Sequence, residues 1–135
     1  MKIELPKGKF AVLTEHDELS EGSYRKIEHA MLKTASVRSR VESAGLDPDK
    51  ATLSQIYSVL PDEDTALLKQ YHDALIVEMV EEWDVLGDNP TSANILDIPR
   101  KTYEKLAEAC SDEFIKGLDT GEPTDPLVEG GNSAV

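Results

Sequence analysis

The chain has 135 residues and carries fourteen Lys and Arg against twenty-seven Asp and Glu, a formal net charge of −13. This charge repels a phosphate backbone and an anionic membrane surface, which argues against nucleic-acid binding and membrane attachment. Cys110 is the single cysteine, so neither an internal disulfide nor a cysteine metal cluster can form. Met1-Lys2-Ile3-Glu4 lacks the apolar region of a signal peptide, so we expect a cytoplasmic protein. The length indicates one domain, placed over residues 1–119.

The first predicted element is a β-hairpin over residues 1–13. Ile3 and Leu5 alternate with polar neighbours, and the alternation resumes after a turn. Pro6-Lys7-Gly8 fits that turn, because proline fixes φ and glycine accepts a positive φ. Two strands alone are marginal in water, so the hairpin must lie on the helices or on a partner.

Helical periodicity then predicts a helical region over residues 20–118, with about four helices. The first helix begins near Ser20 or Ser23 and runs to about Ser43. Asp47-Pro48 supplies an N-cap followed by a proline at the first helical position, which predicts a short second helix.

The densest apolar stretch lies in a predicted central helix from Pro61 to Val85. Three acids open it, Asp62-Glu63-Asp64, and they lie favourably against the helix dipole. So much of its girth is apolar that the helix needs neighbours on more than one side. One stripe follows helical spacing: Leu68, Tyr71, Leu75, Met79 and Trp83.

Beyond the central helix, Gly87-Asp88-Asn89-Pro90 predicts a turn, and residues 91–97 a loop. Pro99 lies in the first turn of a last helix, whose end Gly117 marks. Residues 120–135 are rich in Pro, Gly and acids without periodicity, which predicts a disordered tail. The fold class is therefore mainly α, with a small N-terminal β-hairpin and a disordered C-terminal tail.

The histidines do not form a metal-binding pattern. His16, His29 and His72 each adjoin an acid in the sequence. Immediate neighbours on a helix point about 100° apart, so such pairs do not converge on one ion. We therefore expect no metal and no other cofactor.

Residues suited to acid–base or nucleophilic catalysis also have ordinary structural explanations. Glu78 and Glu82 lie one helical turn apart in the predicted central helix, which favours a solvated acidic face. Cys110 falls on the apolar stripe of the last helix, which predicts a buried, inert thiol. The sequence thus predicts a protein that is not an enzyme.

Five apolar residues lie around the predicted turn and loop: Trp83, Val85, Leu86, Ile95 and Leu96. Apolar side chains at such places either fold back to cap the core or contact a partner. Tryptophan is usually largely buried, which favours the cap. Both interpretations remain open from the sequence.

The same region resembles a known family. Trp83-Asp84-Val85-Leu86-Gly87-Asp88-Asn89-Pro90-Thr91-Ser92, then Ile95-Leu96-Asp97-Ile98-Pro99 and an amphipathic helix, resembles the tail assembly chaperones of long-tailed (siphovirus-like) bacteriophages. In many of these a Trp ends a helix, a Gly/Asn-Pro turn follows, and a Leu/Ile-Pro opens the next helix. Such chaperones typically occur in a short form and in a longer form made by ribosomal frameshifting. Gly130-Gly131-Asn132 is compatible with a slippery site for that frameshift.

The resemblance implies a non-enzymatic chaperone in the host cytoplasm, not expected in the mature virion. It would bind the apolar, helical tape measure protein and help recruit tail-tube subunits. Trp83, Val85, Leu86, Ile95 and Leu96 are then the candidate contact residues. Two alternatives remain: an acidic adaptor or inhibitor that binds a basic protein surface, including one that mimics nucleic acid, and another phage structural or connector protein. Self-association is also left open.

Overall fold

The computed structural model describes residues 1–119; the predicted tail over residues 120–135 lies outside the described residues. Within residues 1–119 the chain forms five α-helices and a three-stranded antiparallel sheet, which confirms the mainly helical class and the N-terminal hairpin. The elements in chain order are β1 (Lys2–Glu4), β2 (Phe10–Leu13), α1 (Glu21–Leu32), α2 (Val37–Ser43), α3 (Leu53–Val59), α4 (Asp62–Met79), β3 (Val80–Trp83) and α5 (Arg100–Asp119).

A third strand, β3, joins the N-terminal hairpin to complete the sheet. The central helix was predicted to reach Val85, which is wrong, because α4 ends at Met79 and β3 pairs antiparallel with β2. The amide of Thr14 donates to the carbonyl of Met79 at 2.7 Å, where α4 passes into the strand. Val80 and Trp83 are both buried, and valine and tryptophan favour strands. Pairing with β2 therefore overrides a pattern that is also compatible with a helix.

The first predicted helix is in fact two helices, α1 and α2, interrupted over residues 33–36. The hydroxyl of Thr34 donates to the carbonyl of Met31 at 2.7 Å, a bond that competes with the helical ladder. The predicted start is confirmed, since the Ser20 side chain accepts from the amide of Ser23 at 3.1 Å.

The N-cap predicted for the next helix is also wrong. Asp47 lies in a turn, where its carboxylate accepts from the amide of Asp49 at 3.0 Å. Helix α3 begins after Thr52, which forms a reciprocal capping box with Gln55. A box satisfies two helix-end amides within the chain, so it fixes the start more firmly than Asp47 and Pro48 do.

Helix α4 is the centre of the core, as predicted, and packs against α1 and α5. Leu75, Ile76 and Met79 are completely buried. Cys110 on α5 is completely buried as well, which confirms its predicted burial. Burial raises the pKa of its thiol to about 12, so the thiol stays protonated near neutral pH. Within residues 1–119, none of the helices combines the length and the apolar character needed to cross a bilayer.

Helix α5 continues past its predicted end. Gly117 lies inside the helix, which runs to Asp119. A β-carbon at Gly117 would lie 3.3 Å from Cβ of His16, so glycine lets the 3₁₀ turn His16–Glu18 approach α5 closely. Glu113 holds that turn: its carboxylate accepts from the amide of His16 at 2.9 Å and lies 2.6 Å from Nδ1 of the same residue.

Candidate functional site

Trp83 closes the core at the end of β3. Its side chain is only 6% exposed, and its indole N–H donates to the carbonyl of Asp88 at 2.6 Å. Val85 and Leu86, in the connection that follows, are half-buried and pack against the core. Trp83 is therefore a cap on the core in this conformation, and it offers almost no surface to a partner.

Ile95 and Leu96 lie in a 3₁₀ turn, Asn94–Asp97, where a loop was predicted. Thr91 and Asn94 fix the turn reciprocally: the Asn94 side chain accepts from the amide of Thr91 at 2.7 Å, and the Thr91 hydroxyl accepts from the amide of Asn94 at 3.1 Å. The turn directs the two apolar neighbours in opposite directions. Ile95 is 2% exposed, whereas Leu96 is 77% exposed.

Leu96 stands beside an open groove of about 320 Å³, here called the Leu96 groove. The turn, the N-terminal part of α5, and side chains from α3 and α4 form its walls. Of the five predicted contact residues, Ile95 and Leu96 line this groove, and Trp83, Val85 and Leu86 do not. Its lining residues are Tyr57, Lys69, Asp73, Ile95, Leu96, Ile98, Arg100, Tyr103 and Glu104.

The two tyrosines of the groove are held in their protonated state. Burial raises the pKa of Tyr57 to about 12. Burial also raises the pKa of Tyr103, and its hydrogen bond to Asp73, 2.5 Å from hydroxyl to carboxylate, raises it further. Neither hydroxyl can act as a base near neutral pH. The groove is thus suited to binding, with hydroxyl groups that fix side-chain positions.

Two cations border the groove of this strongly acidic chain. The Lys69 ammonium lies 5.2 Å from the centre of the Tyr57 ring. The Arg100 guanidinium lies 3.3 Å from the carboxylate of Glu104, which also accepts from the hydroxyl of Ser54 at 2.8 Å. The rim therefore carries both signs of charge around an apolar centre, as protein-binding surfaces commonly do.

The other residues considered for chemistry lie apart from the groove. Within residues 1–119, no group of three or more His, Cys, Asp or Glu is placed to hold a metal ion. Glu82 lies on β3 and not on a helix, so its predicted one-turn spacing from Glu78 is wrong. Glu78 instead accepts from the hydroxyl of Ser23 at 2.8 Å. His72 does not line the groove, although its Nδ1 lies 3.0 Å from the hydroxyl of the groove residue Tyr57; it is buried beneath a second opening.

Tyr57, Lys69 and Tyr103 were not singled out from the sequence, although they shape the groove. They come from three different helices, and no local pattern connects positions so far apart in the chain. Only their amphipathic character could have indicated a surface role. No known protein family, curated protein or solved structure matches the chain.

Proposed function

We propose that the chain is a non-enzymatic tail assembly chaperone of a long-tailed bacteriophage, which binds the tape measure protein in the host cytoplasm and leaves before the virion matures. The observation that carries the proposal is Leu96, a 77% exposed leucine beside an apolar groove, within the segment that resembles these chaperones. Single exposed apolar side chains are common on protein surfaces, so the proposal depends on the groove beside Leu96 and on its place in the resembling segment.

The groove suits a helical partner with an apolar stripe. Leu96 would pack into that stripe, while Ile98 and Tyr57 would cover an apolar side chain of the partner. Lys69 and Arg100 on the rim favour acidic residues beside the stripe. The contact is small, so binding would be reversible, as a chaperone requires when tail-tube subunits displace it. The charge of −13 on each bound copy would keep coated complexes apart.

Co-expression with the tape measure protein of the same phage tests this function. Leu96→Asp places a charge in the contact, and we expect the soluble fraction of the tape measure protein to fall towards that without chaperone. Leu32→Asp is the matched control, because Leu32 is 66% exposed at the end of α1 and lines neither opening. Unchanged solubility with Leu96→Asp, in a variant whose circular dichroism is that of the wild type, would reject the groove as the binding site.

A longer form that recruits tail-tube subunits belongs to the same proposal. Gly130-Gly131-Asn132 is compatible with a slippery site. Expression of an N-terminally tagged gene with its natural downstream DNA should give a minor, longer product. Silent changes in the codons of Gly131 and Asn132 should abolish that product. A single product would remove the frameshift from the proposal.

An acidic adaptor that binds a basic surface is a second candidate, and the charge of −13 favours it. The two functions differ in their response to salt. An electrostatic complex should weaken steeply as salt increases, whereas an apolar contact through Leu96 should not. Binding measured at low and high salt with the same partner separates them.

A further inference from the structure

A second opening, here called the His72 cleft, lies on the surface formed by α2, the turn before α3, α3, α4 and α5. Its volume of about 510 Å³ falls in the range of small-molecule sites. Buried apolar side chains form much of its floor, among them Val41, Leu53 and Leu68.

His72 is the buried polar group of this cleft. It is 5% exposed and lies beside two aromatic rings, with ring centres 5.5 Å from Tyr71 and 6.3 Å from Tyr57. Its Nδ1 lies 3.0 Å from the hydroxyl oxygen of Tyr57. Among residues 1–119, Nε2 has no hydrogen-bond partner, and it is not sealed from solvent. His72 lines this cleft and does not line the Leu96 groove, so of these two openings the cleft is the one that gives access to its side chain.

The hydrogen bond to Tyr57 bears on the tautomer of His72. Within the described part of the chain, the Tyr57 hydroxyl has no other hydrogen-bond partner. Donation of its hydrogen to Nδ1 would satisfy this hydroxyl and leave the imidazole proton on Nε2. Burial lowers the pKa of His72 to about 4, so the ring stays neutral near pH 7. In that tautomer the cleft contains an uncharged N–H donor that meets no acceptor among residues 1–119.

The charges at the mouth narrow the class of ligand. Glu108 and Asp112 line one side along α5, and they disfavour an anion. Arg38, Asp49 and Lys50 also line the mouth, and Arg38 is paired with Asp49 at 3.1 Å. Charges of both signs therefore lie at the mouth, and they favour neither an anion nor a cation over an uncharged ligand.

We propose that the His72 cleft binds a small uncharged molecule whose apolar body covers the floor and whose oxygen accepts a hydrogen bond from Nε2 of His72. The observations are the cleft volume, the apolar floor and Nε2 of His72, which has no hydrogen-bond partner among residues 1–119. A polar group on an apolar floor is poorly hydrated, so a complementary group of a ligand gains more there than at the open surface. This site is separate from the Leu96 groove, and it stands whether or not the proposed chaperone function holds.

Two probe molecules of similar shape test the proposal. Acetophenone has an aromatic ring and a carbonyl acceptor, whereas ethylbenzene has the ring and no acceptor. At equal millimolar concentrations, followed by NMR, acetophenone should shift the His72 ring resonances and the methyl resonances of Leu53 and Val41. We expect it to bind about two- to tenfold more tightly than ethylbenzene, as one hydrogen bond implies. Equal binding of both probes, or no shift with either, would overturn the proposal.

Variants of two histidines extend the test. His72→Phe keeps an aromatic ring and removes the donor, so the preference for acetophenone should disappear. His29→Phe is the control, because His29 is exposed on α1 and lines neither opening. A preference that persists in folded His72→Phe protein would overturn the role of Nε2. If that variant does not fold, the comparison of the two probes on the wild-type protein still decides the matter.

Discussion

Trp83 and Leu96 are the first and the last of the five apolar residues around the turn and loop. The fold buries Trp83 and exposes Leu96. Trp83 is 6% exposed and bonded to the carbonyl of Asp88, whereas Leu96 is 77% exposed beside its groove. The difference arises from main-chain partners. Strand pairing with β2 draws Trp83 into the core, and the Thr91–Asn94 turn points Leu96 outwards. The hydrogen bonds of the main chain therefore decide whether an apolar residue near a loop is buried in the core or exposed on the surface.

The largest expected effect comes from Trp83→Ala. Removing a buried aromatic side chain leaves a cavity and should lower the free energy of unfolding by about 3–5 kcal/mol. Leu96→Ala should change it by less than about 0.5 kcal/mol, since the side chain is already exposed. Chemical denaturation of both variants measures the difference. Similar losses at the two positions would show that the contrast between cap and exposed contact is wrong.

Acid should weaken the protein through His72, whose ring bonds to the groove residue Tyr57. Its pKa is about 4 in the folded protein and 6.5 for the free side chain, so the unfolded chain binds the proton first. The contribution to stability is complete above pH 6.5 and is lost as the pH falls towards 4, by up to about 3 kcal/mol.

The test is to measure the free energy of unfolding of the wild type and of His72→Phe across this pH range. The carboxylates titrate in both proteins, so the difference between the two curves reports His72 alone. Parallel curves would mean that His72 is not desolvated in the folded state.

Two substitutions with smaller expected effects on stability distinguish the role of the Trp83 cap from that of the Leu96 turn. Asp84→Ala removes the carboxylate that accepts from the amide of Phe10 at 2.8 Å, next to Trp83. Asn94→Ala removes the side chain that fixes the turn of Leu96. Each should cost about 0.5–1.5 kcal/mol of stability. Under the proposed function, only Asn94→Ala should also weaken binding of the tape measure protein, and equal effects of the two substitutions on binding would contradict separate roles.

The smallest effect on stability is expected for Leu96→Asp. The side chain is exposed, so the free energy of unfolding should stay within about 0.5 kcal/mol of the wild type. Thermal unfolding measures this directly. A large loss would mean that Leu96 packs on its own chain, and solubility experiments with this variant would then not report on partner binding.

Much of the fold follows from local patterns in the sequence. The Pro6-Lys7-Gly8 turn, the cap at Ser20, the central position of α4 and the burial of Cys110 were all predicted, and the structure confirms them. Each depends on neighbours within a few residues or on a stripe along one helix. The errors lie where distant parts of the chain compete with such patterns.

The sequence by itself determined the helical class, the acidic surface and the apolar stripe of α4, because composition and periodicity act locally. Only the tertiary structure decided that residues 80–83 form a strand, since the edge of β2 supplies hydrogen bonds that an isolated segment lacks. It also placed Tyr57, Lys69 and Tyr103 around Leu96, and it left Nε2 of His72 without a hydrogen-bond partner among residues 1–119. Grooves and unpartnered donors arise between elements, where packing in three dimensions sets which side chains meet.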